Sequence, residues 1–208
     1  MLRKGVVRMA NYCNNKIAII GYDKDKVDSI RKLMVESFRE SRNGTVRDFF
    51  IKCGYSKDEA IKITDGRDTF IDIDDEIDKK DGVYYFYFQT ESAWNPNVEV
   101  FTKIIKEKFD DEFELEHCSE EPGMGIYINT DEDGLFFPDR YFLDCCINDE
   151  YYTEYYETKE EVLEWVRKKF PNIKVNIRTA LHKIEEAVEQ CMSESDDCYF
   201  NLHQFSYC

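Results

Sequence analysis

Residues 84–96 read YYFYFQTESAWNP. Tyr84, Tyr85, Phe86, Tyr87 and Phe88 are consecutive aromatics, a composition that fits a pleated surface covered on at least one face. A polar bend follows, closing on Trp94 and Pro96. Proline suits the first turn of a helix, because its fixed φ is helical and its missing N–H costs nothing there. The stretch therefore predicts a strand, a bend and a helix start, which is the corner of a βα unit. It bears on fold far more than on reaction chemistry.

Upstream, Asn15–Tyr22 alternates and then stays apolar, as a strand buried on both faces would. Gly21 ends it, and Asp23 is placed to cap a helix reaching to about Ser41. Val27, Ile30, Leu33, Met34 and Phe38 form one stripe of that helix, and Asn43-Gly44 breaks it. Residues 45–64 read as a helical pair. Thr45 caps the first piece and Gly54 stops it; Ser56 and Glu59 form a capping box for the second. Phe49, Phe50, Ile61 and Ile63 are its expected core contacts. Asp65-Gly66 turns the chain into a strand over 69–74 with one acidic face, as a sheet edge would carry. Asp81-Gly82 turns it back into the aromatic strand. Downstream, the helix opened by Pro96 buries Val98, Phe101, Ile104 and Ile105, and strands follow at 113–117 and 125–130 around Pro122-Gly123. This order of elements is that of an α+β, ferredoxin-like split βαβ sandwich with a helical insert.

Residues 131–208 extend it with further α+β structure. Strands are expected at 141–147 and 151–156, then a helix capped by Thr158 and Glu161 that buries Val162, Trp165 and Val166. Pro171 ends that helix. Ile173, Val175 and Ile177 alternate as a strand, a helix spans about 179–192, and Phe200 and Leu202 mark a last short strand. No polar linker intervenes, so this extension is expected to pack on residues 9–130 across a boundary near 123–135.

The formal net charge of −16 is unevenly placed. Residues 1–70 hold 15 Lys/Arg and 10 Asp/Glu, whereas residues 71–157 hold 6 and 25. Such a field repels nucleic acid and anionic membranes and attracts basic protein surfaces. The apolar runs fall short of the roughly 18 residues a membrane span needs. The 8 cysteines include no C-x-x-C pair, and no apolar signal segment follows Arg3-Lys4. They read as free thiols in a reducing cytoplasm, with no metal, cluster or other cofactor implied.

Met9-Ala10-Asn11-Tyr12-Cys13-Asn14-Asn15 runs straight into a strand. With Phe86-Tyr87-Phe88, Ala93-Trp94-Asn95-Pro96 and Glu121-Pro122-Gly123, it resembles the YubB-type ferredoxin-like family of plasmid- and phage-borne proteins. The likeness covers about residues 9–130, and the Thr that usually precedes the Ala-Trp pair is displaced to Thr90. It implies a ferredoxin-like fold and a mobile-element origin, with no activity to carry over. It also makes Met9 a credible start, with residues 1–8 an N-terminal extension.

Two function classes remain. The first is a non-catalytic interaction protein whose acidic middle docks on a basic protein partner, in one version an inhibitor that imitates nucleic-acid charge against a host nucleic-acid-binding or defence protein. Its candidate contacts are the acidic run Asp72, Asp74, Asp75, Glu76 and Asp78. Trp94 joins them if it is an exposed anchor rather than the commoner cap on the core. The second is a small enzyme or divalent-cation protein using the carboxylates of 72–78 and 129–133. Asn129, Asp131, Asp133 and Gly134 match positions 1, 3, 5 and 6 of a calcium loop, but Arg140 stands where its bidentate Glu belongs, so a hairpin turn is the simpler expectation. His117 and Cys118 are adjacent on a strand and point apart, which removes a nucleophile pair.

Overall fold

The computed structural model describes residues 12–41, 44–64, 67–109, 112–192 and 198–207. The N-terminal extension, the Met9–Asn11 part of the resemblance, Asn43, Asp65-Gly66 and Cys208 lie outside the described residues. The chain divides into two compact units, Met1–Thr130 and Asp131–Cys208.

In the first unit β1 (Tyr12–Gly21) is flanked by β4 (Val83–Ala93) and β5 (Glu114–Glu121), antiparallel to both. Beyond β4 lies β2 (Thr69–Ile73), and beyond β5 lies β6 (Ile126–Asn129), giving the order β2-β4-β1-β5-β6; β3 (Asp78–Lys80) pairs with the start of β4. Three helices, α1 (Lys24–Glu40), α2 (Val46–Lys52) and α3 (Lys57–Ile63), connect β1 to β2, and α4 (Val98–Lys108) connects β4 to β5. The result is mixed α+β structure on an antiparallel sheet.

Local chemistry sets these elements. The Asp23 carboxylate caps α1 by accepting from the amides of Asp25 (2.9 Å) and Lys26 (3.2 Å), and Ser56 and Glu59 form the expected capping box on α3. Ile17 and Ile19 of β1 pair with Phe88 and Phe86 of β4, and all four enter the core beneath the helices. Phe101 of α4 meets the rings of Phe49, Phe50, Phe70 and Phe88, the last at 4.9 Å between centroids. Asp81 and Gly82 both adopt positive φ (48° and 92°), as a two-residue hairpin between β3 and β4 requires.

Four local expectations are corrected. Helix α4 begins at Val98 with Asn97 as its N-cap, so Pro96 precedes the cap. Asn97 makes no capping bond because its Oδ1 accepts the Thr90 hydroxyl (3.1 Å). Thr45 likewise donates its hydroxyl to Asp48 (2.9 Å) instead of capping α2. Ile61 is exposed. In β2 the register shifts between Phe70 and Asp72, so Phe70 and Ile73 reach the core while Ile71 is left 47% exposed.

The second unit carries a three-stranded antiparallel sheet in the order β8-β7-β9, with β7 (Tyr141–Ile147) between β8 (Glu150–Tyr156) and β9 (Tyr199–Gln204). Helices α5 (Lys159–Lys169) and α6 (Leu181–Glu189) cover one face, burying Val162, Val166, Ile184 and Val188 against Leu143, Cys145, Phe200 and Leu202. Thr158 and Glu161 form the capping box of α5, and Trp165 is only partly buried. The strand expected over Ile173, Val175 and Ile177 does not form. There the Val175 carbonyl accepts from Arg167 (3.0 Å) and the Asn176 amide donates to the Thr179 hydroxyl (3.0 Å). Side chains thus satisfy backbone groups that a neighbouring strand would otherwise take. Among the described residues no helix is long and apolar enough to cross a membrane.

Candidate functional site

The register of the first sheet sorts its side chains. Partners across strands share a face, and Ile17, Phe86, Phe88 and Leu115 fix which face the helices cover. On the opposite face β1 shows Tyr12, Asn14, Lys16, Ala18 and Ile20. Beside them β4 shows Tyr85, Tyr87, Gln89 and Glu91, and β5 shows Glu114, Glu116, Cys118 and Glu120. Asp72, opposite Gln89, and Asp78, opposite Tyr85, add to the β4 side. Two acidic rails therefore flank a seam of mostly neutral residues on β1. Asp72 and Asp78, on β2 and β3, lie three strand spacings from the β5 rail, about 14 Å, and Glu91 on β4 lies two, about 10 Å. Side chains on one face of a strand recur at about 7 Å. Asp72, Asp78, Asn14, Lys16, Gln89 and Glu114 are exposed.

The sequence-predicted contacts divide. Asp72 and Asp78 lie on this face. Asp74, half-buried beside them, exchanges hydrogen bonds with Tyr87: its amide donates to the Tyr87 carbonyl (2.9 Å) and its Oδ2 accepts the Tyr87 N–H (2.7 Å). Burial, with the charges of Asp72 and Asp78, raises its pKa against the pull of that amide and of Lys16. Lys16 lies over the Tyr87 ring at 4.9 Å, and these groups line a notch of about 110 Å³. Asp75 and Glu76 are exposed on the turn before β3, which Arg31 holds through the Asp75 carbonyl (2.5 Å). Trp94 is not with them. It follows the far end of β4, five residues beyond Gln89 and about 16 Å along the strand. Nor is it the core cap that usually follows such a bend: it is 41% exposed at φ 70°, in a tight turn closed by Asn95 N–H to Ala93 C=O (2.8 Å). Glu91, Glu114, Glu116 and Glu120 were not singled out from sequence, because only strand register brings them beside Asp72.

The covered face holds a buried polar chain. Asn15 Nδ2 donates to Ser92 Oγ (3.0 Å) and to the Cys13 carbonyl (3.1 Å), and its Oδ1 accepts from Ser119 Oγ (2.8 Å). Ser119 Oγ lies 2.8 Å from His117 Nδ1. With the serine proton committed to Asn15, His117 donates from Nδ1, which leaves Nε2 as the lone-pair nitrogen. His117 lines a groove of about 380 Å³ with Val98, Thr102, Lys103 and Thr130. Burial pushes its pKa down to about 4, so the ring is neutral at pH 7. Ser119 is fully buried and out of reach of a substrate. Burial likewise raises the Cys13, Cys53 and Cys145 thiols to about 12, which keeps them protonated at neutral pH. Cys118 points to the acidic face, away from His117.

The segment expected as a hairpin at 129–134 instead links β6 to β7, strands of different sheets. Asn129 is buried in β6, Asp133 is exposed, and the Asp131 carboxylate accepts the amides of Phe136 (2.6 Å) and Phe137 (2.7 Å). Arg140 donates to the carbonyls of Asp131 (2.5 Å), Glu132 (3.1 Å) and Phe137 (3.0 Å). A guanidinium thus holds three carbonyls of this loop, and the Asp131 carboxylate that a calcium loop would turn to its ion is spent on backbone amides. Among the described residues no group of three or more His, Cys, Asp or Glu could hold a metal. No protein-family model matches the chain, and no curated protein or solved structure is significantly similar to it.

Proposed function

We propose that the protein is a non-catalytic interaction module of a mobile element, working in the cytoplasm, whose acidic sheet face docks on a basic surface of a host nucleic-acid-binding or defence protein. The observation that carries this is the pair of acidic rails. Their separation, about 14 Å between Asp72 or Asp78 and the β5 carboxylates, is close to the major-groove width of duplex DNA, about 12 Å. Carboxylates so spaced can replace phosphates opposite Lys and Arg, and they steer association over a Debye length. Tyr85 and Tyr87 between the rails supply stacking faces for guanidinium groups. The strand order β2-β4-β1-β5 with its helical crossovers supports reading the first unit as a ferredoxin-like sandwich, extended by β3 and β6. A cation-dependent enzyme is less favoured, since Asp74 and Asp131 already spend carboxylate oxygens on backbone amides.

The test is displacement. Host proteins retained on duplex DNA are eluted with the pure protein, then with a variant carrying Asp72→Asn, Asp78→Asn, Glu114→Gln and Glu120→Gln. A specific subset should elute, less well as salt rises, and the variant should fail. Equal elution by the variant, or indifference to 0.5 M NaCl (a Debye length of about 4 Å), would sink the proposal.

A further inference from the structure

We infer that the edge of β8, together with the flank of α5, is a docking groove for an extended basic peptide that adds to the second sheet as a further strand. β8 is the outer strand of its sheet, and an edge strand directs alternate backbone donors and acceptors away from its neighbour. Helix α5 returns along it, with Trp165 packed edge-on to Tyr152 at 5.5 Å between centroids. Between them lies a groove of about 530 Å³ walled by Tyr155, Tyr156, Glu157, Glu161, Glu164 and Trp165. Its helical wall, residues 161–168, is about 10 Å long, the span of about three residues of a strand. Strand addition beside a helix is a recurrent mode of peptide capture, in which backbone bonds give affinity and flanking pockets give specificity.

Two observations select the occupant. The buried Tyr156 hydroxyl in the groove wall has no hydrogen-bond partner among the described residues, so a donor or acceptor entering there removes a desolvation cost. The lining carries Asp139, Glu157, Glu161 and Glu164 against the single base Lys168; Glu157 and Glu164 make no ion pair among the described residues. Arg or Lys side chains would lay their stems on Trp165 and Tyr155 and place their charges among these carboxylates. A second copy of β8 fits poorly, because its own Glu150 and Glu154 would bring like charge to the edge.

A fluorescein-labelled hexapeptide of alternating Arg and Val, titrated into the protein with both units present and followed by anisotropy, tests this. Saturable binding below about 1 mM is expected. Glu157→Gln with Glu164→Gln should weaken it about tenfold. The same peptide N-methylated at every residue keeps every side-chain charge but can donate no backbone hydrogen bond from either edge, and should also lose tenfold or more. The Asp72→Asn, Asp78→Asn, Glu114→Gln, Glu120→Gln variant should bind the peptide as the parent does, so this site and the proposed sheet-face function fail separately. No binding, undiminished binding of the methylated peptide, loss of binding in the sheet-face variant, or concentration-dependent self-association through β8 would each overturn the inference.

Discussion

Acidifying the protein from pH 7 to pH 5 should cost it stability through His117. In the folded chain burial holds this imidazole to a pKa of about 4, against an ordinary value of 6.5 when unfolded. Between those values the unfolded chain binds a proton that the folded chain refuses, so stability falls as pH falls. The contribution is nearly intact at pH 7, is reduced by about 2 kcal/mol at pH 5 and by about 3 kcal/mol at pH 4. Carboxylates titrate in the same range, so the comparison must be differential. His117→Asn serves, because the amide Nδ2 can replace Nδ1–H as donor to Ser119 and does not titrate. The protein has 2 tryptophans, Trp94 in the first unit and Trp165 in the second. Urea unfolding followed by Trp94 fluorescence in a Trp165→Phe background therefore reports the unit that holds His117, whether or not the units unfold together. The parent should lose about 2 kcal/mol more than the variant between pH 7 and pH 5. Parallel losses, or an imidazole titrating near 6.5 by NMR, would refute the buried neutral ring and the tautomer assigned with it.

Trp94 at φ 70° reverses the usual ranking of small residues: Trp94→Gly should be more stable than Trp94→Ala by about 1 kcal/mol, measured as a difference in urea midpoint, and the opposite order would remove the backbone strain. Arg140→Ala should destabilise the second unit by about 2 kcal/mol, read from Trp165 fluorescence, because the carbonyls of Asp131, Glu132 and Phe137 lose their charged donor. Raising NaCl from 0.05 to 0.5 M should raise Tm by about 2–4 °C as the self-repulsion of a net charge of −16 is screened; a flat Tm would mean that this charge costs the fold nothing.

Much of the fold was legible wherever one local rule acts alone. Asp23, Ser56 and Thr158 cap helices because a side-chain oxygen two or three residues from an orphan amide leaves little choice. Asn97 and Thr45 failed the same rule because a competitor lay within reach, Thr90 seven residues back for one and Asp48 three residues on for the other. The alternation of Ile173, Val175 and Ile177 was a true periodicity without a partner strand, and periodicity cannot show whether a neighbour exists. The site was legible in part. The run from Asp72 to Asp78 is visible as a line of acid, but Glu91, Glu114 and Glu120 join it only through pairings far apart in sequence. The polar chain from Asn15 to His117 has the same cause, since Ser119 and Asn15 are 104 residues apart.

The two faces of the first sheet solve opposite problems with one strand. On the covered side β1 offers Ile17 and Ile19 to the aromatic core, then Asn15 and Cys13 to a closed hydrogen-bond chain, so polar groups enter only where partners are supplied. On the other side the same strand places the exposed Asn14 and Lys16, and the buried Ala18 and Ile20, between the rails. Asp72 and Asp78 stand about 14 Å from the β5 rail, beyond the Debye length of about 10 Å at 0.1 M salt, so repulsion across the seam is small in the free protein. A cation brought to the seam over β1 sits about 5 Å from the β5 rail and about 10 Å from the strands of Asp72 and Asp78. The arrangement costs the isolated fold little while leaving two rows of charge open to a cation, as the proposed docking on a basic surface requires.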